Sequence, residues 1–229
     1  IIEYNGMWLV SNFEKMQLPT GWGVEQQITC VDGSTFQMYM ANMKSIFMDM
    51  IKNTDMVIFN RCKKEDPLPT YRRGIKVANQ RAEVIFEDEE GELGDIFQDE
   101  MPFDMNAPVI EILPEDYGIW FVDAMDHPEN YEGKTVKFKA RVMKPRGMGS
   151  KFFVPGRTAM TCCADDTTFL GYVCKSAYAP KLTPGEWVEV TAKVGIEKRN
   201  EYQGEEGIVL AAEHVEQCDP LEDEMVYFN

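Results

Sequence analysis

Over the first hundred residues, short apolar runs alternate with amphipathic stretches, whereas beyond Gly133 apolar residues recur at every second position. The two periods predict two kinds of structure, because a helix repeats its buried face about every 3.6 residues and a strand every second one. In the first part, Ile1-Tyr4, Gln27-Val31, Met56-Asn60 and Glu83-Phe86 read as strands. Between the second and third lies the clearest helix, opened by Ser34 with Gln37 three residues on, in the manner of a capping box. Its apolar stripe is Phe36, Tyr39, Met40, Met43, Phe47, Met50 and Ile51, and the methionines read as core filling. A second helix is expected from about Pro67 to Gln80, with Pro67 suited to a first helical turn. Strands alternating with helices predict an α/β arrangement around a parallel sheet.

In Thr135-Lys144 the residues Val136, Phe138, Ala140 and Val142 face one way and Lys137, Lys139 and Arg141 the other, the signature of a half-buried antiparallel strand. Comparable strands are expected at Lys151-Val154, Arg157-Cys163, Gly171-Cys174, Trp187-Val194 and Gly207-Ala212, with a turn at Thr183-Pro184-Gly185. So many short strands in so short a stretch predict a small all-β OB-like barrel. A short helix, Glu115 to Met125, precedes it, with Trp120, Phe121 and Ala124 as its buried side. The fold expected is therefore α/β over residues 1–105 plus an OB-like barrel with an entry helix over 106–229.

Charge divides the chain differently. The 229 residues carry a net charge of −16, and the stretch from Ala82 to Gly133 holds 17 carboxylates and no Lys or Arg. Asp88 to Asn106 within it reads as a solvated hairpin and a linker. Tracking a phosphate backbone needs a basic face, so nucleic acid is not an expected partner. The one basic row, Lys137, Lys139 and Arg141, has the acidic stretch as a ready intramolecular counter-charge. No apolar run approaches the ~18 residues of a membrane span, so the chain is not expected to be membrane-embedded. Six scattered cysteines, two of them adjacent, do not form a secreted disulfide framework, which points to a reducing cytoplasm. Ile1 reads as a cut end.

In the first half, Glu3-Tyr4-Asn5-Gly6, Val31-Asp32-Gly33 followed by Phe36, and Met56-Val57-Ile58-Phe59-Asn60-Arg61 stand in an order similar to the E-x-x-G, V-D-A…F and N-K-x-D segments of CobW-like GTPases, a metallochaperone branch of the P-loop enzymes. The resemblance implies roles for Glu3, Gly6, Asn60 and Arg61 in holding GTP and its Mg²⁺. Two departures qualify it: Lys63 stands where the family's guanine motif has an acceptor Asp, and no G-x-x-x-x-G-K-[ST] loop is present to cradle phosphates. The chain therefore reads as the C-terminal half of such a domain, non-catalytic by itself, with GTP and Mg²⁺ bound only in a longer parent.

In the second half, Arg157-Thr158-Ala159-Met160-Thr161-Cys162-Cys163-Ala164-Asp165-Asp166, with Tyr131-Glu132-Gly133-Lys134 upstream and Val226-Tyr227 at the end, resembles the C-terminal domain of two-component membrane permease subunits. Cys162, Cys163, Asp165 and Cys174 form a candidate soft site for Zn²⁺ or another thiophilic metal. An inert buried pair is the competing reading. Arg157 is a candidate to lower a thiol pKa or to pair with Asp165. The functional expectation is a metal- or partner-binding module serving a metal-acceptor protein; the alternative is a structural module docking on a membrane permease.

Overall fold

The computed structural model describes residues 1–94, 101–161 and 167–227, and these form two compact units. The first is built on three parallel strands. After a short helix α1 (Val10–Glu14) come β1 (Ile28–Asp32), α2 (Phe36–Ile51), β2 (Met56–Asn60), α3 (Leu68–Ala78) and β3 (Glu83–Phe86). The strands lie in the order β1-β2-β3, all parallel, as the alternation of strand and helix requires.

Both long helices cover the same face of this sheet. Phe36 of α2 meets Phe59 at 4.9 Å and Tyr71 of α3 at 4.7 Å, edge to face in each case, and Phe59 stacks on Phe86 at 4.9 Å. Val31, Val57, Phe47, Ile51 and Ile75 complete this core. On the opposite face Ile28 and Cys30 stay exposed, and Met56, Ile58 and Ile85 are half-buried. Met38, counted with the methionines of α2, is also exposed.

Two local expectations are corrected. Ile1-Tyr4 forms no strand: Tyr4 packs against Trp8 and Phe13, Trp8 N donates to Asn5 O, and the segment is tied to α2 by Tyr39 Oη donating to Gly6 O at 3.2 Å. Aromatic packing onto a helix replaces the sheet edge that a strand would have needed. Nor does Ser34 cap the helix. Asp32 caps a 3-10 turn, Gly33–Thr35, by accepting from Ser34 N, and α2 continues from that turn.

The second unit opens with β4 (Ile110–Glu111) and α4 (Tyr117–Asp126), followed by β5 (Thr135–Met143), β6 (Phe152–Met160), β7 (Thr167–Gly171), β8 (Val173–Lys175), β9 (Trp187–Lys198), β10 (Glu206–Gln217) and β11 (Met225–Val226). Five of these strands close a ring. β5 pairs with β6 and β9, β9 with β10, β10 with β8, and β8 with β6. All are antiparallel except β8 with β10, and this order makes an OB-like barrel. β4, β7 and β11 are added strands at its margin.

β6 runs unbroken where the sequence suggests two strands divided at Pro155. The backbone N–H and C=O of Val142, the partner of Pro155, are both spent on Glu186 and Gly185. Pro155 therefore turns its missing donor away from β5, to the side where pairing passes from β8, ending at Phe153, to β7, starting at Gly156. The proline costs no ladder bond there.

Helix α4 plugs the barrel. Trp120, 1% exposed, packs on Phe138 at 4.8 Å and Tyr172 at 5.6 Å, and Tyr117 packs on Trp120 at 5.4 Å. The phenols are anchored as well: Tyr117 Oη donates to Leu170 O at 3.0 Å and Tyr172 Oη to Phe121 O. Replacing Trp120 by Ala removes the centre of this cluster and is expected to cost the barrel unit about 3–5 kcal/mol in urea-induced unfolding. A loss under about 1 kcal/mol would mean that the plug is dispensable.

Candidate functional site

The residues singled out in the sequence fall at two places. The first is the carboxyl-terminal edge of the parallel sheet, where open α/β sheets bind ligands. Register pairs Asp32 with Asn60, so the last residues of β1 and β2 are neighbours. The Asp32 carboxylate is fully engaged. Its Oδ1 accepts from Ser34 N at 3.0 Å and Ser34 Oγ at 2.6 Å, and its Oδ2 accepts from Arg61 Nη1 at 2.6 Å. These bonds, the Ser34 hydroxyl foremost, hold the Asp32 carboxyl below its ordinary range.

Arg61 reaches Asp32 from a left-handed backbone, with φ 56°. Asn60 keeps its Oδ1 buried with no hydrogen-bond partner among the described residues. Gly33 lets the strand ends approach, since a β-carbon there would lie 2.7 Å from Cys62 Sγ and 3.0 Å from Asn60 O. Burial pushes the Cys62 thiol up to about 11, too high for a nucleophile at neutral pH. Lys63 N donates to Asp66 Oδ2 at 2.7 Å in the turn before α3. The structure thus brings Asp32, Asn60 and Arg61 together and leaves Glu3 and Gly6 on the exposed segment tied to α2.

The second place is the barrel wall. Cys162, Cys163 and Asp165 lie outside the described residues. Cys174 is fully buried on β8 opposite Phe153, and burial pushes its thiol up to about 12. Phe153 is near the start of β6 and Met160 is its last residue, a separation of roughly 23 Å along an extended strand. Among the described residues no three His, Cys, Asp or Glu side chains gather as a metal site would need.

Arg157 is 2% exposed, and its described partners are backbone carbonyls. Nη1 donates to Pro114 O, and Nη2 to Asp223 O and Met225 O, each at 3.0 Å. The guanidinium also lies 5.6 Å from the centre of the Tyr117 ring. It fastens the segment before α4 and the β11 end of the chain to the barrel wall. Carbonyl acceptors have no residue-type signature, which is why the sequence points only to thiol or carboxylate partners for this side chain.

The basic row of β5 finds its counter-charge within the barrel. Lys137 pairs with Glu189 of β9 at 3.0 Å, and Glu189 raises its pKa more than Glu111 does. Arg141 reaches Glu224 at 4.0 Å and donates to Gly185 O at 3.1 Å. Among the described residues, the acidic stretch, expected to supply these partners, contributes Glu111 as a lesser neighbour of Lys137.

The family described as the DUF1980 C-terminal domain matches residues 92–228. No curated protein matches the chain. Among solved structures, the mitochondrial single-stranded DNA binding protein Rim1 from S. cerevisiae is similar at 10% identity and a TM-score of 0.24, over 38% of this chain and 97% of that one. An aspartyl tRNA synthetase from Entamoeba histolytica is similar at 15% identity and a TM-score of 0.27, over 52% of this chain and 27% of that one. No helix of the described residues is long and apolar enough to cross a membrane.

The Asp32 cluster has a defined pH signature. A carboxyl whose folded pKa is lowered stabilises the fold above its ordinary value, and that contribution is lost as pH falls through the lower folded value. The melting-temperature deficit of Asp32→Asn is therefore expected to be largest near about pH 5 and to shrink toward about pH 2. A deficit that is constant across that range would show that the ionised carboxylate contributes nothing.

Proposed function

Since this chain belongs to the DUF1980 C-terminal domain family, we propose that its barrel is a binding module for a thiophilic metal, carried beside part of a CobW-like GTPase domain. The observation that carries the reading is the pairing of Asp32 with Asn60 at the carboxyl ends of neighbouring parallel strands. Asp32 lies within the V-D-A-like segment and Asn60 opens the N-K-x-D-like one, each at the end of its strand, and the crevice outside such strand ends is where a nucleotide would bind. The bare edge of β1 and the half-covered sheet face leave room for further strands and helices, since parallel sheets are ordinarily covered on both faces. Glu3, Gly6, Asn60 and Arg61 would contact GTP and Mg²⁺ only with a phosphate loop supplied from elsewhere. Lys63 in place of an acceptor weakens guanine selectivity.

The metal ligands in this reading are Cys162, Cys163 and Asp165, which follow the end of β6 in sequence. Two thiolates and a carboxylate suit Zn²⁺ with a fourth position open to an acceptor protein. The buried, protonated thiol of Cys174, paired across from the start of β6, favours a wall position for that residue over ligation.

Zinc titration of the fully reduced chain tests the metal assignment. Binding tighter than about 1 µM is expected, with proton release, and the double variant Cys162→Ser, Cys163→Ser should abolish it. Binding weaker than that, or binding unchanged in the double variant, would refute the assignment.

A further inference from the structure

We propose that the open cavity between the β5–β6 loop and the β9–β10 loop binds a phosphate group. The site is independent of the metal reading and lies in the barrel unit alone. The cavity has a volume of about 600 Å³, and Arg146, Gly147, Gly149, Lys198, Arg199 and Glu201 are among the residues that line it.

Three features suit it to a multiply charged anion. The first is positive charge: Arg146 on the β5–β6 loop and Lys198 at the end of β9 are exposed and make no ion pair or hydrogen bond among the described residues, although Glu206 stands opposite Lys198 in the ladder. Lys151, at the end of the first loop, is likewise exposed. Lys144 is not available, because its Nζ is spent on Ala179 O and Leu182 O.

The second feature is the backbone. The loop reads Pro145-Arg146-Gly147-Met148-Gly149-Ser150-Lys151. Gly147 has φ +87°, a left-handed conformation that suits glycine and that recurs in the concave backbone nests that hold anions. Of the loop amides, Met148 N is used by Pro145 O, whereas the N–H groups of Gly147, Gly149, Ser150 and Lys151 have no backbone acceptor among the described residues. A β-carbon at Gly147 would meet nothing within 4 Å, so the glycine answers to backbone conformation and not to crowding.

The third feature is a fixed wall. Arg199 is locked by Glu201, which accepts from Nε at 3.2 Å and from Nη2 at 2.9 Å, and its guanidinium lies 4.4 Å from the centre of the Phe152 ring. That fork neutralises Glu201, the one carboxylate on the cavity wall. Arg199 is also paired with Glu197 at 3.7 Å, so the cations left without an ion pair on the lining are Arg146 and Lys198, beside unclaimed amides. Two cations match a phosphate, which carries up to two negative charges and several acceptor oxygens, better than a singly charged carboxylate.

The test is a titration of the full chain, ¹⁵N-labelled, with inorganic phosphate, thymidine monophosphate and a thymidine octanucleotide, at constant ionic strength. Amide shifts at Gly147, Gly149, Ser150 and Lys151 are expected at up to about 10 mM phosphate, and Arg146→Ala and Lys198→Ala should each weaken binding by about tenfold. Equal affinity for the monophosphate and the octanucleotide assigns a small phosphorylated ligand. Much tighter octanucleotide binding that still needs both cations assigns the phosphates of a strand. Shifts absent with all three probes, or affinities indifferent to both substitutions, overturn the proposal. Both variants change exposed loop side chains, so an unchanged melting temperature is expected and separates lost binding from lost folding.

Discussion

Closure of the five-strand ring is the constraint on which the barrel unit depends. A sheet that closes has no edge to protect, but closing this one requires a parallel pair, β8 with β10, among antiparallel neighbours. Val209 pairs with Val173 and Leu210 with Cys174 at that seam, and all four are buried. The buried thiol of Cys174 is thus part of the wall. Once closed, the ring needs filling at its end, and Tyr117, Trp120 and Phe121 of α4 supply the aromatic mass against Phe138 and Tyr172.

Arg157 links closure to the segments outside the ring. A buried guanidinium is costly unless its donors are spent, and here Pro114, Asp223 and Met225 offer carbonyls to Nη1 and Nη2 from two segments remote in sequence, while Nε has no partner among the described residues. The same bonds fix the approach to α4 and the short parallel strand β11 along β6. Electrostatics on the surface follows a simpler rule. Cross-strand neighbours of opposite charge attract, as Lys137 does Glu189 at 3.0 Å. Arg146, on the β5–β6 loop, and Lys198, at the end of β9 across the ladder from Glu206, make no ion pair among the described residues.

The first unit shows the reverse situation, a sheet satisfied on one face only. Phe36, Phe59, Tyr71 and Phe86 make one dense aromatic layer under α2 and α3, while Ile28 and Cys30 face outward on the bare edge strand β1. All-parallel sheets are ordinarily covered on both faces, and here the described residues cover one. At the strand ends, Asp32 is held by Ser34 and Arg61.

The alternation in Thr135-Lys144, the stripe from Phe36 to Ile51 and the buried side of α4 were determined by the sequence alone, because a period along the chain is a local property and burial follows it directly. The order of strands around the barrel, the role of Arg157 and the partners of Lys137 were decided only by tertiary structure. Each joins residues far apart in the chain: Arg157 with Met225, Val209 with Val173, Lys137 with Glu189. Ile1-Tyr4 illustrates the same division, for its apolar residues suit a strand, yet rings from Trp8 and Phe13 hold it as coil. A pattern fixes which face of an element is buried; what covers that face depends on which distant surface has an unspent donor, charge or edge.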